Sequence, residues 1–156
     1  MVPKVNTKAP DFTLKNTDGT GISLNDFSKR PKVLFFFPLA FSDVCTDELC
    51  SIRDNMKLYN AFDAKVIGIS IDSFFALKAF KRSENINFTL LSDFNKEVSA
   101  RYGVLYDDYF GMKGVAKRST FVIDREGLIQ YKEVLEDSSD LPDFKSIQKS
   151  LSSDNK

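Results

Sequence analysis

Histidine and tryptophan are both absent from the sequence of 156 residues. Without histidine, the chain can form no Ser-His-Asp or Cys-His nucleophilic centre, no imidazole general base and no imidazole metal site. Cysteine is scarce, since Cys45 and Cys50 are the only two. One chain therefore cannot assemble a tetrahedral zinc site from cysteine and histidine ligands, and any metal would need carboxylates.

An excess of one charge sign and long hydrophobic runs are also lacking. The 22 Lys and Arg residues balance 22 Asp and Glu residues, and no basic stripe is present, so we expect no nucleic-acid partner. No window approaches the ~20 apolar residues of a membrane span. Residues 1–10 contain two lysines and no apolar core of a secretory signal. We therefore expect no membrane association and a cytoplasmic location.

The composition that remains is typical of a globular protein, with 42% hydrophobic and 28% charged residues. The length favours a single domain over residues 1–156, with a polar tail at 152–156 that we expect to fray. A domain of this size folds without structural disulfides or metals. In a reducing compartment, the two cysteines are therefore expected to be reactive or buried rather than joined in a permanent structural bridge.

Strand and helix patterns alternate along the chain, which predicts an α/β protein with a mixed central sheet and helices on both faces. A thioredoxin-like fold fits this order, and periodicity alone also allows other three-layer sandwiches. The predicted elements are an edge hairpin at 12–14 and 22–24, a buried strand at 33–37, a helix ending near 60, a strand at 66–71, a helix around 74–80, a strand at 88–91, a helix at 96–102, a hairpin at 120–123 and 128–131, and a helix at 144–151.

Cys45 lies at the expected start of the first long helix. It shares one helical stripe with apolar residues such as Leu49 and Ile52, which also fits an ordinary core cysteine. A helix N-terminus carries unpaired N–H groups and partial positive charge, and both favour the reactive thiolate. Cys45 is therefore the candidate nucleophile.

The helix dipole alone is too weak to activate this thiol. Lowering a thiol pKa from about 8.5 to about 6 requires roughly 3.4 kcal/mol, whereas a helix terminus supplies at most about 2 kcal/mol. Asp43, Asp47 and Glu48 oppose the thiolate, so a cation from elsewhere is needed. Ser42 is the nearby hydroxyl, and it is either a hydrogen-bond donor to the sulfur or a helix N-cap.

The residues before Cys45 form the pattern Pro38-x-x-x-Ser42-x-x-Cys45. This pattern resembles the active-site signature of the peroxiredoxins, which are thiol peroxidases with a thioredoxin-like fold. Residues 9–14 (Ala-Pro-Asp-Phe-Thr-Leu) and 118–124 (Arg-Ser-Thr-Phe-Val-Ile-Asp) resemble two other recurring segments of that family. Because the segments occur in the same order, the resemblance covers essentially the whole chain.

The resemblance implies a role for each matching residue. Cys45 would be the peroxidatic thiolate, Ser42 the hydroxyl beside it, Pro38 the residue that shields the sulfur, and Arg118 the activating guanidinium. The thiolate would reduce hydrogen peroxide or organic hydroperoxides and become a sulfenic acid, with no metal or haem cofactor. Thioredoxin or another dithiol would be the reductant, and a homodimer is possible because many relatives form one.

The role of Cys50 depends on the subfamily. The C-x-x-x-x-C spacing resembles the peroxiredoxin Q and bacterioferritin-comigratory-protein group, in which the second cysteine resolves the sulfenic acid as an intramolecular disulfide. Residues 37–41 also resemble the alkyl hydroperoxide reductase E-like group, in which an external thiol performs that step. Residues five apart on a helix are about 7.5 Å apart along its axis and point in different directions. An internal disulfide therefore requires the first helical turns to unwind.

Other interpretations are a redox-inactive binding module and a thioredoxin-type thiol-disulfide oxidoreductase. The oxidoreductase normally needs a C-x-x-C motif, which is absent. Thr46 and Glu48 match positions at which peroxiredoxins often have Thr and Glu, and the resemblance allows Glu48 to orient an arginine. Both are equally explained as helix-start residues and are not assigned to the catalytic set.

Overall fold

The computed structural model describes residues 1–154. Its elements follow the predicted alternation after an N-terminal hairpin. In chain order they are β1 (Thr13–Asn16), β2 (Gly21–Ser23), a 3₁₀ helix (Leu24–Phe27), β3 (Lys32–Phe36), α1 (Asp43–Asp54), α2 (Met56–Ala61), β4 (Lys65–Ser70), α3 (Phe74–Ser83), β5 (Thr89–Ser92), α4 (Glu97–Arg101), β6 (Ser119–Ile123), β7 (Ile129–Val134) and α5 (Phe144–Asp154).

The strands of the described residues form one mixed sheet in the order β2-β1-β5-β4-β3-β6-β7. Strands β3, β4 and β5 run parallel, whereas β6 is antiparallel to both β3 and β7. The hairpin of β1 and β2 forms one edge, as predicted. Every residue of β3 is buried, as its consecutive apolar residues predict for a strand covered on both faces.

Two hydrophobic cores cover the two faces of this sheet. Val33 and Phe35 of β3 face a core that includes residues of α1, α3 and α5. Leu34 and Phe36 face a second core that includes Val98 of α4 and residues of the N-terminal segment. Successive side chains of a strand point to opposite faces, so β3 supplies both cores. The predicted arrangement of helices on both faces is confirmed.

Two helix boundaries differ from the prediction. The helix expected to continue to about residue 60 is interrupted at Asn55, which separates α1 from α2. The Asn55 side-chain amide donates to the Ser51 carbonyl at 2.8 Å, a contact of the kind by which asparagine competes with helical geometry. The last helix continues to Asp154, beyond its expected end at residue 151. Residues 155 and 156 of the expected tail lie outside the described residues.

Between residues 1 and 154, no helix combines the length and the apolar character needed to cross a bilayer. Over the same residues, no group of three or more cysteine and acidic side chains is placed to hold a metal ion.

The loop between β3 and α1 sets the position of Cys45. Strand β3 ends at Phe36, and the Phe37 N–H makes one more bond, to the Ile69 carbonyl at 3.0 Å. The pairing goes no further because Pro38 has no N–H to donate. The Ala40 N–H donates to Asp72 Oδ2 at 2.8 Å, which attaches the loop to the segment after β4. Helix α1 therefore begins beside the carboxyl ends of the parallel strands.

Candidate active site

Cys45 lies in the first turn of α1, as predicted, and its side chain is fully buried. Ser42 is the N-cap residue, with extended backbone angles (φ −75°, ψ 152°). The carbonyl oxygen of Ser42 accepts from the Thr46 N–H at 2.9 Å and from the Thr46 hydroxyl at 2.8 Å. These contacts fix the first turn and hold the thiol against the core.

The Ser42 hydroxyl donates to the Leu39 carbonyl at 2.9 Å in this conformation. It also lies close enough to the sulfur to lower the pKa of Cys45. A hydroxyl has a single proton, so rotation about the Cβ–Oγ bond would redirect it from Leu39 to the thiol. Ser42 is therefore in place to donate to the sulfur or to an oxygen bound beside it.

Arg118 brings the missing cation to Cys45. It directly precedes β6, whose first residue, Ser119, pairs with Phe36 at the end of β3. Because these strands are antiparallel, the start of β6 lies beside the loop that leads to α1. Arg118 is only 1% exposed, and its Nη1 donates to Cys45 Sγ at 3.3 Å. The two motifs that are far apart in sequence thus meet at one sulfur atom.

Glu48 and the Ser138 carbonyl also accept hydrogen bonds from this guanidinium. Arg118 Nη1 donates to Glu48 Oε1 at 2.6 Å, and Nη2 donates to the Ser138 carbonyl at 2.9 Å. Cys45 and Glu48 are three residues apart, so they share one face of α1. That spacing is the signal in the sequence, but the same position also suits an ordinary residue of the first turns. Only the fold shows that Glu48 is buried against Arg118.

The segment that supplies the Ser138 carbonyl is absent from the sequence motifs. It is held by Glu136, whose carbonyl accepts from the Tyr106 hydroxyl at 2.8 Å and whose carboxylate pairs with Lys117 at 2.9 Å. The accepting carbonyls of Glu136 and Ser138 leave no residue-type signature, because every residue has one, so sequence patterns cannot find these contacts. The contacts of Glu136 hold the segment whose Ser138 carbonyl accepts from the guanidinium.

The electrostatics of Cys45 differ from the expectation of a thiol with a lowered pKa. Burial raises the pKa of Cys45 more than Arg118 and Ser42 lower it, and the nearby Glu48 raises it further. Burial also raises the pKa of Glu48 to about 7, although the Arg118 guanidinium opposes this shift. The predicted cation is present, but complete burial outweighs it because a low dielectric disfavours the anion.

Pro38 and Cys50 occupy different surroundings. Pro38 is buried in the loop before α1. Cys50 is partly exposed, and its Sγ donates to Glu84 Oε2 at 3.5 Å. Both cysteines are free thiols on the continuous helix α1, where five residues correspond to about 7.5 Å of rise and a rotation of about 140°. The structure therefore brings Cys45 and Arg118 together and leaves Cys50 apart.

Comparison with known proteins places the chain in a family. The model of the AhpC/TSA family matches residues 5–132. The chain belongs to the AhpC/TSA family. It is 40% identical over 122 residues to "Peroxiredoxin Q, chloroplastic" of Triticum aestivum. That alignment covers 78% of this chain and 55% of the plant protein. It is 41% identical over 132 residues to "Putative peroxiredoxin bcp" of Coxiella burnetii, covering 83% and 87%. The chain thus spans about half the length of the plant peroxiredoxin Q proteins that it matches.

Solved structures of AhpC/TSA relatives have the same architecture. Peroxidoxin BcpB from Mycobacterium tuberculosis superposes with a TM-score of 0.86 at 31% identity, covering 96% of this chain and 97% of that one. A peroxiredoxin-like protein from Aquifex aeolicus superposes with a TM-score of 0.88 at 26% identity, covering 98% and 88%. The expected thioredoxin-like fold of the peroxiredoxins is therefore confirmed.

Proposed function

We propose that this AhpC/TSA protein is a thiol peroxidase that reduces hydrogen peroxide and organic hydroperoxides at Cys45. The observation that carries the proposal is the 3.3 Å hydrogen bond from Arg118 Nη1 to Cys45 Sγ, made at the first turn of a helix. Two positive influences, the helix N-terminus and a guanidinium, converge there on one sulfur. Both influences favour the thiolate, which is the nucleophilic form, against the burial that raises the pKa of Cys45.

The first step is the attack of the Cys45 thiolate on one peroxide oxygen. A sulfur–oxygen bond forms, the oxygen–oxygen bond breaks, and Cys45 becomes a sulfenic acid. The departing oxygen takes up a proton and leaves as water or an alcohol. Arg118 and Ser42 donate hydrogen bonds to the charge that develops on these oxygens. Glu48 and the Ser138 carbonyl hold the guanidinium in position, and Pro38 shields the sulfur.

The second step is resolution by Cys50. Its sulfur attacks the sulfenic sulfur, a disulfide forms, and the sulfenic oxygen leaves as water. Because Cys50 is distant from Cys45 on the intact helix, α1 must unwind locally before the two sulfurs meet. Thioredoxin or a similar dithiol would then reduce the disulfide. We also propose that this enzyme is cytoplasmic and forms a homodimer.

A one-cysteine cycle is the second candidate, and the position of Cys50 favours it. The Cys50 thiol is directed to Glu84 rather than to Cys45, so an external thiol could reach the sulfenic acid first. The two cycles differ in whether Cys50 is needed for turnover. The Cys50→Ser variant therefore separates them, since only the one-cysteine cycle survives the substitution unchanged.

Peroxide consumption tests the proposal. The reduced protein is mixed with hydrogen peroxide and a dithiol such as dithiothreitol, and peroxide loss is followed against the Cys45→Ser variant. The expected result is turnover in the wild type and none in the variant. Equal peroxide loss in both proteins would refute the proposal. Reduction of insulin disulfides without peroxide turnover would instead identify a thioredoxin-type oxidoreductase.

A further inference from the structure

The partly exposed thiol of Cys50 has one specific polar partner, Glu84. Cys50 Sγ donates to Glu84 Oε2 at 3.5 Å, within the range of a hydrogen bond from sulfur. Glu84 is the C-cap residue of α3, so this contact joins two helices on the same face of the sheet. The contact is made in the reduced, fully helical form of α1, before any disulfide exists.

Two further contacts attach the C-terminal half of α1 to the segment at the end of α3. Arg53 Nη1 donates to the Glu84 carbonyl at 2.5 Å, and Asn87 Nδ2 donates to the Arg53 carbonyl at 3.3 Å. These two bonds use main-chain oxygens of Glu84 and Arg53. Replacing the Glu84 side chain therefore leaves both in place and removes only the contact with the thiol.

The charged groups that face Cys50 come from both helices. Arg53 and Asp54 lie on α1, and Glu84 lies at the end of α3. Burial raises the pKa of Cys50, and the positive charge of Arg53 lowers it. Glu84 raises this pKa both as a hydrogen-bond acceptor and as a negative charge, and the negative charge of Asp54 raises it by a smaller amount. A carboxylate that accepts from a thiol stabilises the protonated form, because ionisation would place two negative charges side by side.

We propose that Glu84 is a positioning residue for the resolving step. It holds Cys50 protonated and hydrogen-bonded to the end of α3 until Cys45 has been oxidised and α1 unwinds. The inference rests on the proposed function, since it concerns how the Cys45 sulfenic acid is resolved. In that step, Cys50 loses its proton to solvent, its sulfur bonds to the sulfur of Cys45, and the sulfenic oxygen takes up a proton and leaves as water. Glu84 thus delays disulfide formation and lengthens the life of the sulfenic acid.

The size of the expected effect follows from thiol chemistry. Below its pKa, a thiol gains about tenfold in thiolate for each unit by which the pKa falls. The intrinsic nucleophilicity of the thiolate falls at the same time, with a Brønsted coefficient of about 0.4–0.5. The net expectation is roughly a threefold faster resolution for each unit that the pKa of Cys50 falls when Glu84 is neutralised.

The first experiment needs no peroxide. In a Cys45→Ser background, the rate of Cys50 alkylation by iodoacetamide is measured against pH for Glu84, Glu84→Gln and Glu84→Ala. The alkylation profile is expected to move to lower pH in both Glu84 variants. Asp54→Asn is the matched control, because it removes a carboxylate near the same thiol without removing a hydrogen bond to it. An unchanged profile in both Glu84 variants, or an equal shift in Asp54→Asn, would overturn the inference.

The second experiment measures disulfide formation after a pulse of peroxide, by acid quench and intact mass, with Cys45 and Cys50 both present. Glu84→Gln and Glu84→Ala are expected to form the disulfide about threefold faster for each unit of the measured pH shift, with an unchanged rate of sulfenic acid formation. A slower disulfide step would overturn the inference and identify Glu84 as a base instead. Failure of Cys45 to react with peroxide at all would refute the proposed function. The alkylation profile of Cys50 is measured without peroxide, so that failure would not affect it.

Discussion

Arg118 is the residue on which the site depends most. Its guanidinium contacts a thiol, a carboxylate and a main-chain carbonyl while almost completely buried. A buried guanidinium is costly unless such partners surround it. The arrangement therefore positions a charge beside Cys45 that the N-terminus of α1 could not supply by itself.

Replacing Arg118 by methionine tests this dependence. Loss of a preorganised donor to a developing oxyanion is expected to lower the second-order rate of Cys45 oxidation by roughly 100-fold or more. The pH profile of Cys45 alkylation should move to higher pH, because the guanidinium lowers the pKa of this thiol. Stopped-flow oxidation by hydrogen peroxide gives the rate, and circular dichroism checks that the variant folds.

Arg30→Met is the matched control for that experiment. Arg30 lies before β3, is 41% exposed and pairs with Asp63, so its loss should leave the rate of Cys45 oxidation unchanged. An unchanged rate in Arg118→Met would remove Arg118 from the reaction. An equal loss in both variants would show that general charge, rather than the contact at 3.3 Å, is responsible.

The sequence predicts some of these residues and not others. Pro38, Ser42, Cys45 and Arg118 belong to motifs, and the fold places Ser42, Cys45 and Arg118 together around one sulfur. The partners of Arg118 are less visible, because Ser138 contributes a carbonyl that any residue would carry. The pKa of Cys45 is also beyond sequence reasoning, since it depends on the complete burial that the fold produces.

The two steps of the proposed cycle require different conformations of helix α1. Its first turn must be intact for Cys45 to contact Arg118, and its turns must open for Cys45 and Cys50 to form a disulfide. The helix is fastened at both ends, by Arg118 near its start and by the end of α3 near its finish. Oxidation therefore has to release contacts at one of these ends.

Formation of the internal disulfide is expected to unwind about one to two turns of α1, or about 4–7 residues. Far-ultraviolet circular dichroism should record the loss of helical signal after peroxide treatment, and amide exchange should locate it between Cys45 and Cys50. The Cys50→Ser variant serves as the control and should keep its helical signal. Equal helicity of the reduced and oxidised wild-type proteins would contradict the expected unwinding.

Element boundaries show where pattern reasoning ends. The consecutive apolar residues of β3 predict its burial, and the helical stripe through Cys45 predicts α1. The interruption at Asn55 depends on a local side-chain bond to Ser51, which periodicity does not register. The order of the strands in the sheet also depends on pairings such as β1 with β5, which join segments that are remote in sequence.

At the scale of the whole molecule, the ion pair of Glu48 and Arg118 links α1 to β6. Burial raises the pKa of Glu48 from 4.5 in the unfolded chain to about 7. The folded state therefore holds this proton more tightly than the unfolded state does. The resulting contribution to the free energy of unfolding is complete below pH 4.5 and is lost as the pH rises through about 7.

Urea unfolding of the wild type and of Glu48→Gln tests this sign. The free energy of unfolding of the wild type, relative to the variant, should be larger near pH 5 than near pH 8. The other titrating groups are common to both proteins, so their effects on the free energy of unfolding cancel in the comparison. A relative stability that increases with pH would mean that the ion pair with Arg118 outweighs the burial of Glu48.

Thiol trapping followed by intact mass measurement shows whether peroxide oxidises Cys45. The reduced wild type and Cys50→Ser are each mixed with a small excess of hydrogen peroxide, without a reductant. The wild type should lose two hydrogens as the disulfide forms, and a sulfenic acid on Cys45 should be trapped in Cys50→Ser. A sulfenic acid that persists in both proteins would contradict the role of Cys50. No rapid reaction in either would contradict the peroxidase itself and leave Cys45 as an ordinary core residue.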